Sequence, residues 1–594
     1  MRRAFTATAF LLIIWATIVA ATGGLDVRLA GLAIRSRDPF RALVLGLTIL
    51  LVQATVWRPL LIHDFELLGS GLRRWAPAVA GIMALMLGAY AVRFGSFGVG
   101  GADSYGYVNQ AHDWVSGPLP RSIPLPLRLP FPGSDEMQTP LGYRVGQEPH
   151  TMVPNYAPGL PMIMAVALVV SGCGPFFVVP FLSILLVWFT FRLGERAAGP
   201  ITGLLAALVV ITSPVVLYQA AWPMSDVPAA ALWTGAALFA LRDRRRDALI
   251  AGLFAALGLL VRPNLPLVWA APLIPIAWSG QGLGRWQRIA AYAVPAIVPT
   301  VVVATLNTMW YGAASNSGYG AAGALYQWAN VWPNVKLNAA WLWQSQSPWV
   351  LLALLPLLPV FGRSFDRRVI VLCVLLTAAT FACYASYAQF EVWWYLRFLL
   401  PAGGAFAVLI AAGLVSIART LPRPFGVVAA GLALWLMCAS TLTFASGAGV
   451  FGRMREGERR YIDIGEFAAR ELPENAAVFS MQHSGSLRFY SGRMTLRYDW
   501  VKPEWAKDVP AAVERAGYHP YLMIDDFETK QVREQFGIPE GAALPWPVRA
   551  RMRELGGLTL FDMGTTSAAV APVALEPGGA HWCEGRHQLV TIRH

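Results

Sequence analysis

Thirteen apolar runs, parted by short loops in which arginines gather, leave this 594-residue chain one class of fold. About 20 apolar residues in a helix cross the ~30 Å hydrocarbon core of a bilayer. A chain that repeats such runs reads as a polytopic α-helical membrane protein. Composition agrees: 56% of residues are hydrophobic and 14% charged, against roughly 25% charged in a soluble domain. The runs lie at about 5–22, 41–57, 76–95, 175–191, 198–218, 227–241, 248–261, 265–278, 289–308, 348–361, 369–388, 396–418 and 424–446. The first follows Met1-Arg2-Arg3 without a convincing small-residue cleavage site, so it reads as an uncleaved span.

A fourteenth, shorter run sets the topology. Asn155-Tyr156-Ala157-Pro158-Gly159-Leu160-Pro161 leads into apolar residues that end at Val170. About 12 residues of helix reach ~18 Å, too little to cross. If the run crossed, Arg192, Arg196 and the cluster Arg242-Asp243-Arg244-Arg245-Arg246 would lie outside, against the positive-inside rule. Laid along the outer surface or re-entrant, it puts those arginines in the cytoplasm, and Asp226 outside with Asp103. The loops with Arg285 and Arg288, Arg363 to Arg368, and Arg419 to Arg423 then also fall inside. The N-terminus is cytoplasmic and the C-terminus extracytoplasmic. The loop with Arg28, Arg35 and Arg37 is the exception, an amphipathic piece on the outer side.

Three domains follow: an N-terminal transmembrane hairpin (1–75), a transmembrane core (76–446) with a long outer loop (96–174), and an extracytoplasmic α/β domain (447–594). In the last, 461–471, 509–516 and 548–555 read as helices, and 477–480 and 521–524 as strands, suggesting a mostly parallel sheet. It contains no GxGxxG or P-loop, so no nucleotide site is implied.

The net charge of +13 belongs to the cytoplasmic loops, and no basic stripe with interleaved aromatics points to nucleic acid. The basic residues are nearly all arginine, with lysine only at 336, 502, 507 and 530, a hint of a GC-rich bacterial genome and so of a bacterial inner membrane. The 23 Trp and 18 Tyr suit interfacial belts or a sugar-binding surface. Cys173, Cys373, Cys383, Cys438 and Cys583 show no CxxC or Cys/His cluster, implying neither a disulfide framework nor a structural zinc site.

The chemistry-bearing residues lie in the outer loops. Asp103 follows the third run in Gly100-Gly101-Ala102-Asp103-Ser104-Tyr105-Gly106-Tyr107. The loop after it is broken by Gly117-Pro118-Leu119-Pro120 through Phe131-Pro132-Gly133, which no continuous helix accommodates, and a long ordered loop is usually functional. Asp226 lies in Ser225-Asp226-Val227-Pro228, where a helix N-cap is the plain alternative. Glu391 is a loop acid. Arg262 and Arg397 stand at the outer ends of spans, either snorkelling to the interface or serving as forks for a lipid phosphate. His150, Tyr156 and Tyr105 are supporting candidates for the same site.

In order and spacing these motifs resemble the C-type (GT-C) membrane glycosyltransferases, in particular the branch of protein O-mannosyltransferases and lipid A aminoarabinose transferases. The residues that carry the resemblance span 76–446. They are Ala102-Asp103-Ser104-Tyr105-Gly106-Tyr107, Asn155-Tyr156-Ala157-Pro158-Gly159, Ser225-Asp226-Val227-Pro228, Gly258-Leu259-Leu260-Val261-Arg262-Pro263, Tyr311-Gly312 with Ser317-Gly318-Tyr319-Gly320, and Trp394-Tyr395-Leu396-Arg397-Phe398-Leu399-Leu400-Pro401. The resemblance implies a polyprenyl-phosphate sugar donor, a glycan, lipid or protein acceptor, and transfer on the extracytoplasmic face with single displacement. It implies that Asp103 is general base or acceptor-orienting group and that Asp226 supports the site. Many members carry paired acids in the first loop. Here Ser104 follows Asp103 and the next acid is Asp113, which does not support a divalent metal. A flippase for lipid-linked sugars, an oligosaccharide polymerase or ligase, and a non-catalytic protein with a partner-binding outer domain are the alternative readings.

Overall fold

The computed structural model describes residues 2–564 and 573–574, apart from 23–24, 30–31, 37, 118, 124–128, 279–281, 363 and 553–556. The expectations that touch Arg37, Arg363, Cys583 and most of the tail beyond 564 lie outside the described residues.

Each of the thirteen apolar runs coincides with a helix or a broken helix, but not each is long enough to cross a bilayer. Among the described residues seven helices are long and apolar enough: Pro39–Val56, Leu61–Phe94, Gly174–Ala198, Gly282–Tyr311, Arg367–Ala385, Trp393–Thr420 and Phe425–Gly447. An eighth is the pair Pro200–Thr212 and Pro214–Ala220, bent by 64° where Pro214 has no N–H to give the helix ladder. The sequence's count of thirteen spans therefore exceeds what helix length supports. Phe5–Ala16, Asp226–Ala240, Pro266–Trp278 and Pro348–Leu357 are shorter. Hydropathy counts any apolar run, whereas a short one can be apolar because it is buried in protein. Asp226–Ala240 is such a helix, with only Phe239 of its fifteen residues not fully buried. Its alanines let neighbouring backbones approach closely, and small residues are what membrane helix interfaces select.

The stretch between the second and third runs is helical. Arg58–Phe94 is one 37-residue helix that carries Arg58, Arg73 and Arg74 along its first half. The proposed boundary at residue 75 thus falls inside a helix. Between the first two helices lies an antiparallel hairpin, Leu25–Leu29 with Leu32–Ser36.

The basic loops meet at one end of the bundle. Arg196 Nη2 donates to the carbonyl of Leu241 at 3.0 Å, Arg368 Nη2 to the Asp243 carboxylate at 3.1 Å, and Arg288 Nη2 to the carbonyl of Arg242 at 3.2 Å. Asp226 begins the helix that ends just before them, and 15 residues of α-helix are ~22 Å long. The outer acid and the arginine cluster thus stand at opposite ends.

The described residues of the long outer loop form regular elements. They fold as the helix Asp103–Ser116, a three-stranded antiparallel sheet (Arg121–Ser122, Thr151–Pro154, Tyr143–Val145) and the short helix Gly159–Val170. Cys373, Cys383 and Cys438 are free and buried.

The C-terminal domain packs on this loop. Its six-stranded sheet has the spatial order Val573–Ala574, Val548–Met552, Leu558–Asp562, His519–Asp525, Ala476–Phe479, Met494–Leu496. Three pairings are parallel and two antiparallel, so the sheet is mixed. Residues 548–552 form a strand where a helix was expected. Val548-Arg549-Ala550-Arg551-Met552 alternates apolar and basic, which is the period of a strand with one face buried. The expected helices at 461–471 and 509–516 are present as Arg453–Glu471 and Asp508–Arg515.

Candidate active site

A cavity of about 310 Å³ lies between the outer loop and the outer ends of the helices, and Asp103, Tyr156, Asp226, Arg262 and Arg397 all line it. These residues come from five separate stretches of the chain. The structure does not bring the other sequence candidates to it. His150 is exposed and bonds Asp135 through Nδ1 at 3.0 Å. Glu391 is exposed on the 386–392 loop. Tyr105 is buried on the far side of its helix, where its ring meets Tyr143 at 5.9 Å. On that helix Asp103, Gly106 and Tyr107 share the cavity side, and Tyr105 turns away by the 3.6-residue period.

The two acids occupy different environments. Asp103 is the first residue of its helix, a position the helix dipole favours for an acid. Its side chain is 30% exposed. Oδ1 accepts from the Tyr156 hydroxyl at 2.7 Å and Oδ2 from Arg397 Nη1 at 2.9 Å. Burial and the adjacent Asp103 carboxylate hold the Tyr156 phenol well above its ordinary pKa, so it stays a donor. Asp226 is also the first residue of a helix, but its side chain is 1% exposed and is paired with Arg262 Nη2.

Arg262 is fully committed. Besides Asp226, it donates through Nε to Ser225 Oγ at 3.2 Å and through Nη1 to the Tyr384 hydroxyl at 3.1 Å. Ser225 Oγ also meets the Tyr107 hydroxyl at 2.9 Å. This chain joins the Asp103 helix to the Asp226 helix through buried groups. Arg397 has capacity left: its Nε is buried and has no hydrogen-bond partner. Phe398 lies between the two guanidiniums, 5.9 Å from Arg262 and 5.4 Å from Arg397, and stacks on Tyr384 at 5.0 Å.

The electrostatic balance favours an anion. The two carboxylates offset the two guanidiniums. Asp103, Pro158 and Asp226, all lining the cavity, stand at the N-termini of three helices, and each N-terminus presents unpaired N–H groups and about half a positive charge. Much of the remaining lining is aromatic: Tyr107, Trp310, Tyr311, Tyr319, Tyr326 and Tyr387. Among the described residues no group of three or more His, Cys, Asp or Glu is placed to hold a metal ion.

Sequence reasoning missed Tyr107, Ser225, Tyr384 and the hairpin Asn316–Ser317 with Gly320–Ala321, which places Tyr319 on the cavity. The signal for the last was present in Ser317-Gly318-Tyr319-Gly320. A Cβ on Gly318 would stand 2.2 Å from the Asn155 carbonyl oxygen, so this hairpin lies directly on the loop that carries Tyr156.

No family model matches the chain, and no curated protein matches it. Among solved structures it is similar to ArnT from Cupriavidus metallidurans bound to undecaprenyl phosphate, at 12% identity over 81% of this chain and 97% of that one, with a TM-score of 0.49. It is similar to the oligosaccharyltransferase of Archaeoglobus fulgidus in the apo form, at 12% identity over 80% and 74%, TM-score 0.46. A third is the arabinofuranosyltransferase AftD from Mycobacteria, at 12% identity over 84% of this chain and 40% of that one, TM-score 0.46. The chemistry open to the cavity follows from its own side chains.

Proposed function

We propose that this protein transfers a sugar from a polyprenyl-phosphate-linked donor to an acceptor hydroxyl at the extracytoplasmic face of a bacterial inner membrane. The observation that carries the reading is the meeting of one accessible carboxylate, Asp103, with a guanidinium that has a spare donor, Arg397, in an outer cavity ringed by helix N-termini. An acceptor hydroxyl must lose a proton as the phosphate leaves the anomeric carbon. A carboxylate within hydrogen-bond reach supplies the base, and oriented donors stabilise the charge that grows on the phosphate.

The geometry suggests a sequence. Arg397 and Asp103 neutralise each other while the cavity holds no donor. An incoming phosphate competes for Arg397, whose planar fork suits phosphate oxygens. Asp103 Oδ2 is thereby released to accept the hydroxyl proton, while Tyr156 keeps Oδ1 in place. Arg262, with its three nitrogens donating to protein groups, holds the Asp226 helix against the Asp103 helix instead of binding phosphate.

The test is release of undecaprenyl phosphate from a panel of undecaprenyl-phosphate hexoses and pentoses by the purified protein in proteoliposomes supplied with a cell-envelope extract of glycans and lipids as acceptor. We expect at least one donor to be cleaved by the wild-type chain, and about 100-fold or more slowly by Asp103→Asn. Cleavage at equal rates by both would overturn the assignment of the base.

A further inference from the structure

The peptide that leads into Asp103 is seated on the C-terminal domain. Ser96 N still bonds the bundle, at the carbonyl of Ala221, 3.1 Å away. From there the contacts change owner. Val99 N donates to the Tyr490 hydroxyl at 2.8 Å. A Cβ on Gly98 would be 3.1 Å from Ile462. Gly100 lies flat against the ring of Tyr461, where a Cβ would be 2.0 Å from Cδ2. Gly101, with φ +55°, lies beside the Gln482 carboxamide, whose Nε2 donates to the Tyr461 hydroxyl at 3.0 Å. Gln482 is fixed in turn, since its own N–H donates to Glu528 Oε1 at 3.2 Å. Two residues further on, Asp103 opens its helix.

Resting on the reading that Asp103 takes the acceptor proton, we infer that Tyr461 and Gln482 are positioning residues for it. The ring and the carboxamide form a rigid seat that fixes where the Asp103 helix starts. Tyr156 and Arg397 then grip the carboxylate from the cavity side. A backbone shift at Gly100–Gly101 moves the helix start and lengthens the 2.7 Å and 2.9 Å bonds to the carboxylate. The outer domain is thus part of the catalytic geometry, although none of its described residues lines the cavity.

The full-length protein is tested with a donor that the wild type cleaves. Tyr461→Ala lowers kcat about tenfold or more and leaves the donor KM within about twofold, because misplacing a catalytic group by an ångström costs up to ~100-fold while the phosphate contacts remain. Gly100→Ala does the same. The double variant is no worse than Tyr461→Ala alone, since both changes act through one contact. A wild-type kcat for Tyr461→Ala, a loss carried by KM, or losses that multiply in the double variant would each overturn the inference. A second readout needs no transfer. In an Asp103→Cys background, Tyr461→Ala changes the rate at which a water-soluble methanethiosulfonate modifies the new thiol, with labelling of the unsubstituted chain subtracted. An unchanged rate overturns the inference. If the wild type cleaves no donor, the transfer reading fails and the thiol rates still decide the positioning role.

Discussion

Arg397 and Asp103, 294 residues apart in sequence, meet at 2.9 Å on the wall of one cavity. The pair is partly desolvated, with side-chain exposures of 14% and 30%, so solvent screens it only in part. Tyr156 holds the other carboxylate oxygen. On the proposed mechanism the carboxylate has one partner that a phosphate can take from it and one that it keeps.

Asp103→Asn preserves the shape of the side chain and removes the base. We expect sugar transfer to fall by about 10²–10⁴-fold, the usual contribution of a general base, with a normal amount of protein in the membrane. Arg397→Lys retains a charge but loses the fork, and should weaken transfer through both kcat and KM. Transfer assays on membranes, with immunoblots for protein level, check both; retained transfer by Asp103→Asn would sink the assignment.

Asp226 and Arg262 are predicted to matter for stability before chemistry. Asp226→Asn leaves a buried guanidinium without its counter-charge, and breaking such a pair costs about 3–5 kcal/mol. Arg262→Met alone strands the carboxylate in the same way. The double variant Asp226→Asn with Arg262→Met should be more stable than either single one. Thermal unfolding in detergent, followed by size exclusion, reads the order; equal melting of all three would show that the pair is not coupled.

The outer loops' acids and the tyrosines beside them were unequally legible in the chain. Asp103, Asp226, Arg262, Arg397 and Tyr156 each stand at the end of an apolar run, so membrane topology alone placed them on one face. Distance was not legible. Nothing in the local pattern separates Glu391, which the fold leaves in solvent, from Asp103. His150 fails for a similar reason, since its partner Asp135 lies in the same loop and takes it away from the cavity. The seat of Gly100 on Tyr461 joins residues 361 positions apart, and a glycine's need for space is visible only once the neighbour is known. The strand at 548–552 was within reach, because its alternation of apolar and basic residues was there to be read.

Glu458 gives a pH dependence in the outer domain. Burial raises its carboxyl from 4.5 to about 8, with Arg460 opposing. Its Oε2 is buried without a hydrogen-bond partner. A folded-state pKa above the unfolded one means that the folded form binds more protons between the two values, so stability is lost as the pH rises. The contribution of the neutral carboxyl is present in full below pH 4.5 and is gone above about pH 8. Glu458→Gln stays neutral throughout. Its melting temperature should match the wild type at the acid end and exceed it increasingly across that window. Parallel melting curves at every pH would remove Glu458 as the cause.

Gly106 lies one turn along the Asp103 helix, and a Cβ there would stand 2.0 Å from Cε2 of Tyr156. The ring also packs on Tyr107 at 4.6 Å, so it has nowhere to retreat without swinging its hydroxyl off Oδ1. Ala is a better helix former than Gly by about 0.8–1.0 kcal/mol, so Gly106→Ala favours the helix locally while it displaces the ring. Tyr156→Phe removes only the hydroxyl. If the 2.7 Å bond is what orients the carboxylate, the two variants should lower kcat to a similar extent, although one enlarges a side chain and the other trims one. Stopped-time transfer assays at saturating donor compare them directly. A normal kcat for Tyr156→Phe beside an inactive Gly106→Ala would assign the effect of the glycine to packing and leave the hydroxyl without a role.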